Sequence, residues 1–336
     1  MKSCSMLLEA KRMQERKNNQ ALLFIKDWAI VLAVILLIII FTVTIPNFMQ
    51  TNNVLNILRS ISIVTIIAVG LTVSLSVNGF DLSIGSTATL ANSVVVSMFV
   101  WFSMPTGVSI LVAILAVLCV ALFNAFLIVK VKIPDLFATL ATMFIVEGVA
   151  MTYTGGGSIS AGMPRLDGTP TEGRISDFFL LLSKTPWIIL IMLVIVMLVH
   201  VFLTYTKHGR FLYAVGGNEE AAKLSGIPVN RYKMIAYIFS AVLAGIGGLL
   251  LASQIGSAQI NAGAGYLMPA VAAAFIGQSF AGHGKPNAIG TLFGAALVGI
   301  LENGLVMLSV PYYSLNIIKG LVLAFALAST YYSRKK

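Results

Sequence analysis

The sequence predicts an all-α integral membrane protein of about ten transmembrane helices, some of them broken, with both termini in the cytoplasm. Three observations carry this. Of 336 residues, 58% are hydrophobic and 10% charged, with a mean hydropathy of +0.94, whereas soluble domains average about 25% charged residues. Apolar runs near the length of a bilayer crossing, roughly 20 residues, recur from end to end. The 22 Lys and Arg are also unevenly placed: with the N-terminus inside, 17 fall on the inner side and four, Arg59, Arg165, Arg174 and Lys184, on the outer. Basic residues are retained on the cytoplasmic side of membranes, so this bias sets the orientation.

The segments follow in order. Residues 28–45 form the first and end at Pro46, which cannot continue a helix. Residues 60–77 form the second, and a polar break, Asn78-Gly79-Phe80-Asp81-Leu82-Ser83-Ile84-Gly85-Ser86, follows it. The third to fifth are 87–102, 108–129 and 136–153; a Gly/Pro-rich outer loop, 155–186, precedes the sixth at 187–205. After a polar island at 206–233 come 234–252, 269–281, 288–308 and 315–330, the last carrying Lys319. Short, glycine-rich segments point to broken helices around a cavity rather than lipid-facing rods. Residues 1–27 read as a charged cytoplasmic arm, 28–330 as one membrane domain and 331–336 as a basic tail.

The island contains a short helix marked at both ends. Asn218 is a strong N-cap and Glu219 and Glu220 favour the positive helix end. Ala221, Ala222, Lys223 and Leu224 are strong helix formers. Gly226 supplies a left-handed cap, and Pro228 stops continuation. A helix of two turns is marginal alone in water, so it is expected to lean on a second protein.

Several function classes are excluded. The net charge of +10 is spread over several loops, which argues for membrane topology rather than nucleic-acid binding. Cys4 and Cys119 make no disulfide framework, and His200, His208 and His283 have no metal-ligand spacing. The Gly155-Gly156-Gly157 and Gly216-Gly217 runs lack the lysine of a phosphate-binding loop. With no nucleophile triad or metalloprotease motif, the chain is read as a conduit rather than an enzyme, with no metal and no cofactor of its own.

In a conduit, polar residues within apolar segments become the candidates. At the first break these are Asn78, Asp81 and Ser83, with Asp81 either capping the helix that begins near Leu82 or acting in transport. Gln254, Gln259 and Asn261, with Ser257, form a neutral cluster suited to an uncharged polar ligand or to an ordinary solvated loop. Glu302 and Asn303 lie within the ninth segment, and Glu147 near the outer end of the fifth. A six-residue echo between Asp81–Ser86 and Pro286–Thr291 hints at an internal repeat of broken helices.

Taken in order, these residues resemble a known family. Pro46-Asn47-Phe48, Gly79–Ser86, Gly209-Arg210, Ala214–Ala222, Leu224–Ile227, Ser257-Ala258-Gln259, Gly290-Thr291-Leu292 and Asn303-Gly304-Leu305 are similar to those of permease subunits of bacterial ABC importers for monosaccharides, the ribose-permease type. The resemblance implies a multi-pass protein of the bacterial cytoplasmic membrane with about ten helices. Its implied partners are a second permease copy or paralogue, two cytoplasmic ATP-binding subunits that hold ATP and Mg, and an extracytoplasmic substrate-binding protein. It further implies that the island, through Gly216, Gly217, Asn218, Glu219, Glu220, Ala222, Leu224 and Gly226, docks on the ATPase. Departures stand at Leu267-Met268-Pro269, Gly277-Gln278, Glu147 and Glu302, and these weaken a claim to ribose itself. Another small polyol, such as a furanosyl signal or a sugar alcohol, and a proton-coupled carrier remain as alternatives.

Overall fold

Hydrocarbon offers no hydrogen bonds to an open backbone, so a membrane chain satisfies its amides within helices. The computed structural model of the chain describes residues 28, 30–278, 284–311, 314, 315, 317–322 and 324. The expected N-terminal arm, the basic tail and His283 lie outside them. Each of the first nine expected segments lies on a described helix, the eighth as far as residue 278, beyond which 279–281 lie outside the described residues: α1 (Ile30–Thr44), α2 (Thr51–Leu75), α3 (Ile84–Val100), α4 (Thr106–Ala125), α5 (Asp135–Tyr153), α7 (Trp187–Tyr205), α10 (Val229–Ile255), α11 (Ala264–Gln278) and α12 (Ala288–Met307). Six of them are long and apolar enough to cross a membrane. The short helices are α6 (Asp177–Leu181) on one side and α8 (Lys207–Gly217) and α9 (Glu219–Leu224) in the island. The described part of the tenth segment is helical, at 314–324.

The centre of the bundle is the α2–α10 pair. Two thirds of the most apolar window of each is buried, against 28% for α5 and α7. Glycines explain the close approach of α10 to three neighbours. A Cβ at Gly248 would overlap the Ala88 carbonyl of α3, one at Gly247 would overlap the Ile67 side chain of α2, and one at Gly245 would stand 2.8 Å from Val117 of α4. Small residues at such crossings gain dispersion contacts that lipid cannot match.

The two halves repeat each other in opposite directions. Gly70 of α2 packs on Ser240 of α10, while Asn56, near the start of α2, lines a cleft with Gln254, near the end of α10. The pair is therefore antiparallel. Helix α2 packs on α11 and α12 as α10 packs on α3 and α4. Each central helix ends in a break holding an asparagine in left-handed backbone, Asn78 and Asn261, both at φ 58°. The starts of α3 and α11 meet, since a Cβ at Gly263 would overlap the Gly85 carbonyl. These are the features of an inverted repeat. The sequence echo is out of register with it. Residues 286–291 begin α12, where Asn287 caps Gly290 at 2.6 Å, whereas the structural counterpart of the first break is 256–263.

Three segment starts shift by five residues or more. Helix α10 starts at Val229, five residues before the expected 234. Helix α2 starts at Thr51, nine residues before the expected 60, so Arg59 sits inside it rather than in an outer loop. Helix α11 starts at Ala264 and carries Pro269 internally, whereas the sequence places the helix start at that proline. Gly265, whose carbonyl the proline ring crowds, has open space around it.

Candidate functional site

The residues around the first break form the densest polar cluster inside the bundle. The Asp81 carboxyl is fully buried. It accepts from the Ser83 backbone N–H at 2.9 Å, the Ser83 hydroxyl at 2.6 Å and the Ser240 hydroxyl of α10 at 2.7 Å. The Asn124 side chain of α4 donates to the Ser83 hydroxyl at 2.9 Å. From α5, the Thr139 hydroxyl bonds the Phe80 carbonyl at 2.9 Å, and its oxygen accepts from the Leu82 N–H at 3.2 Å. Thr139 of α5 thus meets two backbone groups of the break, while α10 and α4 bond its side chains, so that three other helices hold it. Asp81 does not cap α3 in the strict sense, because the N-cap position is Ser83 and its side chain makes no cap bond. Instead Asp81 closes a local turn onto Ser83 and ties it to α10.

The island seats directly on this break. Thr206 caps α8 by accepting from the Gly209 N–H at 3.1 Å. Leu212 and Val215 of α8 are buried, and a Cβ at Gly216 would overlap the Ser76 carbonyl. Gly216 thus lets α8 lie flat on 76–78. The Tyr213 hydroxyl donates to the Pro286 carbonyl at 2.6 Å, next to α12. Burial pushes the Tyr213 phenol up to about 12, which keeps it a neutral donor. Helix α8 therefore touches the entry to both halves of the repeat.

Helix α9 has the expected ends. The Asn218 side chain accepts from the Ala221 N–H at 2.9 Å. At the other end the Ile227 N–H bonds the Ala222 carbonyl, and the Gly226 N–H the Lys223 carbonyl, both at 3.0 Å, with Gly226 at φ 77°. Glu219 pairs with Lys233 of α10 at 2.8 Å. Ala222 is 4% exposed and packs on the chain's own core, so it is a support rather than a free contact residue, and α9 leans in part on its own protein. Leu224 faces the other way and is 90% exposed, and Gly217 and Glu220 are exposed beside it.

The remaining candidates divide. Asn78 is exposed beside the seat of α8. On the far side of the bundle Gln254 is exposed, Asn261 half-buried, and Gln259 exposed with its N–H on Asn92 of α3 at 3.1 Å. Glu302 pairs with Lys319 at 2.8 Å, and Asn303 exchanges side-chain hydrogen bonds with Asn53 at 3.1 and 3.2 Å. The structure does not bring these three groups into one site. Sequence reasoning missed Asn124, Thr139 and Ser240. Each is a polar side chain in an apolar run, which is the signal that would have found it. Among the described residues no group of three or more His, Cys, Asp or Glu could hold a metal ion.

Comparison with known proteins places this geometry. Residues 53–327 match the family described as "Branched-chain amino acid transport system / permease component". The chain is 36% identical to the ribose import permease protein RbsC of Haemophilus influenzae over 96% of this chain and 98% of that one. It is 34% identical to RbsC of Escherichia coli K12, over 90% and 94%. It is 32% identical to the galactose/methyl galactoside import permease protein MglC of Escherichia coli K12, over 96% and 100%. No solved structure matches.

Proposed function

The chain belongs to the family of branched-chain amino acid transport system permease components, and on that premise we propose that it is the membrane permease of an ATP-driven importer for a monosaccharide. It is a transport subunit of the bacterial cytoplasmic membrane, not an enzyme; ATP is hydrolysed by a separate subunit. The observation that carries the reading is the near full-length similarity to ribose and galactose import permeases, which favours a sugar over an amino acid as cargo.

In this reading α8 and α9 receive the motion of the ATPase. Leu224, Glu220 and Gly217 form the contact face, with Asn218 and Gly226 fixing the ends of α9 and Ala222 holding it to the body. Gly216 passes displacement to 76–78, and the Asp81–Ser240 and Ser83–Asn124 bonds pass it to α10 and α4. The far-side break, with Gln254, Gln259 and Asn261, and the Glu302 and Asn303 layer line the path the sugar takes. Two permease chains, two ATP-binding subunits and an extracytoplasmic binding protein complete the assembly.

Reconstitution tests this. Proteoliposomes holding the chain with its ATPase facing the lumen, and the binding protein outside, are expected to accumulate radiolabelled ribose or galactose only with ATP in the lumen. Accumulation driven by a proton gradient without ATPase would overturn the reading in favour of a secondary carrier.

A further inference from the structure

Beside α9, at the island end of the bundle, a cleft of about 580 Å3 opens between the turn that joins α4 to α5 and the start of α10. Its charged lining is Lys132, Asp135, Glu219, Lys223 and Lys233. Both carboxylates are engaged. Glu219 pairs with Lys233 at 2.8 Å. Asp135 is turned inward, with its Oδ2 2.9 Å from where a Cβ on the buried Gly79 would stand. Among the described residues neither Lys132 nor Lys223 has an ion pair or a side-chain hydrogen bond. Two exposed cations thus line one cleft with no counter-charge. The backbone marks the same place. Helix α4 runs on into a π-helical turn, Phe126–Lys130, a distortion frequent at functional sites. Lys132 follows in left-handed backbone, φ 66°, which glycine or asparagine adopts at less cost. Strain of this kind clusters at ligand clamps. Exposed apolar side chains flank the turn, Phe126 and Val131 before Lys132, and Leu136 and Phe137 after it.

We infer that this cleft binds the phosphate of an anionic phospholipid headgroup from the cytoplasmic leaflet, held between Lys132 on the membrane body and Lys223 on α9. Lysine binds phosphate as a point charge, and basic pockets beside membrane helices on the cytoplasmic side take up anionic headgroups. The apolar flank favours lipid over a soluble anion or an acidic protein segment. Acyl chains cover Phe126, Val131, Leu136 and Phe137, which a free phosphate leaves bare. A zwitterionic headgroup brings its own cation and compensates neither lysine. A lipid held here ties α9 to the end of α4. Neither cargo nor ATPase enters this chemistry.

Native mass spectrometry of the purified chain in a neutral detergent tests it, counting bound dioctanoyl phosphatidylglycerol against dioctanoyl phosphatidylcholine as the zwitterionic control. The first is expected to bind and the second not. Lys132→Gln and Lys223→Gln are each expected to weaken binding about fivefold, and Lys132→Arg and Lys223→Arg to retain it. Lys207→Gln and Lys285→Gln, at the same end but outside the cleft, leave it unchanged. Lys132→Gly removes the charge and relaxes the backbone. It is expected to lose the lipid yet melt no lower than the parent, which separates weakened binding from unfolding. Binding insensitive to both Lys132 and Lys223 would overturn the inference. So would displacement of the lipid by equimolar inorganic phosphate, which would assign the cleft to a soluble anion. Loss of ATPase pull-down in Lys132→Gln with lipid binding unchanged would assign it to the ATPase and overturn the inference too. The binding assay needs neither ATP nor sugar, so its failure would leave the transport reading standing, and failed uptake with intact Lys132-dependent lipid binding would remove the transport reading alone.

Discussion

Gly216 lies against the backbone of Ser76 so closely that a Cβ would overlap its carbonyl oxygen. This approach joins the island to the break that ends α2 and gives a load on α9 one route into the bundle, beside the Glu219–Lys233 pair and the buried Ala222. Gly216→Val is expected to force α8 off its seat, at a cost of about 1–3 kcal/mol, and to lower ATP-driven uptake at least tenfold. Uptake assays beside thermal melting in detergent check both parts; the neighbouring Gly217→Val, where a Cβ meets open space, is the control and is expected to melt like the parent.

The Asp81 carboxyl accepts three hydrogen bonds while fully buried. Removing it strands buried donors, each costing about 1–3 kcal/mol. Asp81→Ala is therefore expected to reduce membrane abundance severely. Asp81→Asn keeps an acceptor oxygen and is expected to fold, with a lower melting temperature. Equal abundance for Asp81→Ala and the parent would show that the clamp is dispensable.

Ala222 and Leu224 sit two residues apart and face opposite ways. Leu224→Asp is expected to weaken ATPase association in a pull-down without lowering abundance, since 90% of its surface is already exposed. Ala222→Asp puts a charge into the chain's own core and is expected to lower abundance as well.

The N-cap of α9 gives a graded version of the same experiment. Asn218→Ala loses the bond to the Ala221 N–H, worth about 1 kcal/mol, and is expected to reduce ATPase affinity a few-fold. Asn218→Asp keeps the acceptor and is expected to restore it.

The Glu302–Lys319 pair joins α12 to the described part of the tenth segment. Breaking one partner leaves a charge in an apolar setting. Glu302→Gln and Lys319→Gln are each expected to destabilise the protein more than the double variant does, as a double-mutant cycle in thermal melting reads.

Much of this was legible in the chain itself. Nine segments were visible because hydrocarbon demands long apolar runs, and both ends of α9 because Asn218 and Gly226 each do one job that few residues do. The direction in which α9 faces was not visible: six residues have no clear periodicity, so Ala222 and Leu224 read alike. The start of α2 was hidden by Arg59 and by Thr51, Asn52, Asn53 and Asn56, which hydropathy assigns to a loop. The partners of Asp81 and Ser83 were hidden because Ser240 lies 159 residues from the first and Asn124 lies 41 from the second in sequence. Only folding brings them together. The repeat, too, lives in packing: Asn78 and Asn261 correspond in backbone and place, while the local letters around them do not.

Uptake and ATP hydrolysis, measured in the same proteoliposomes for the parent and for Leu224→Asp, test the central claim most directly. On the proposed entry of energy through α9, Leu224→Asp is expected to leave hydrolysis by the ATPase running while sugar accumulation falls at least tenfold. Undiminished accumulation by Leu224→Asp would contradict it.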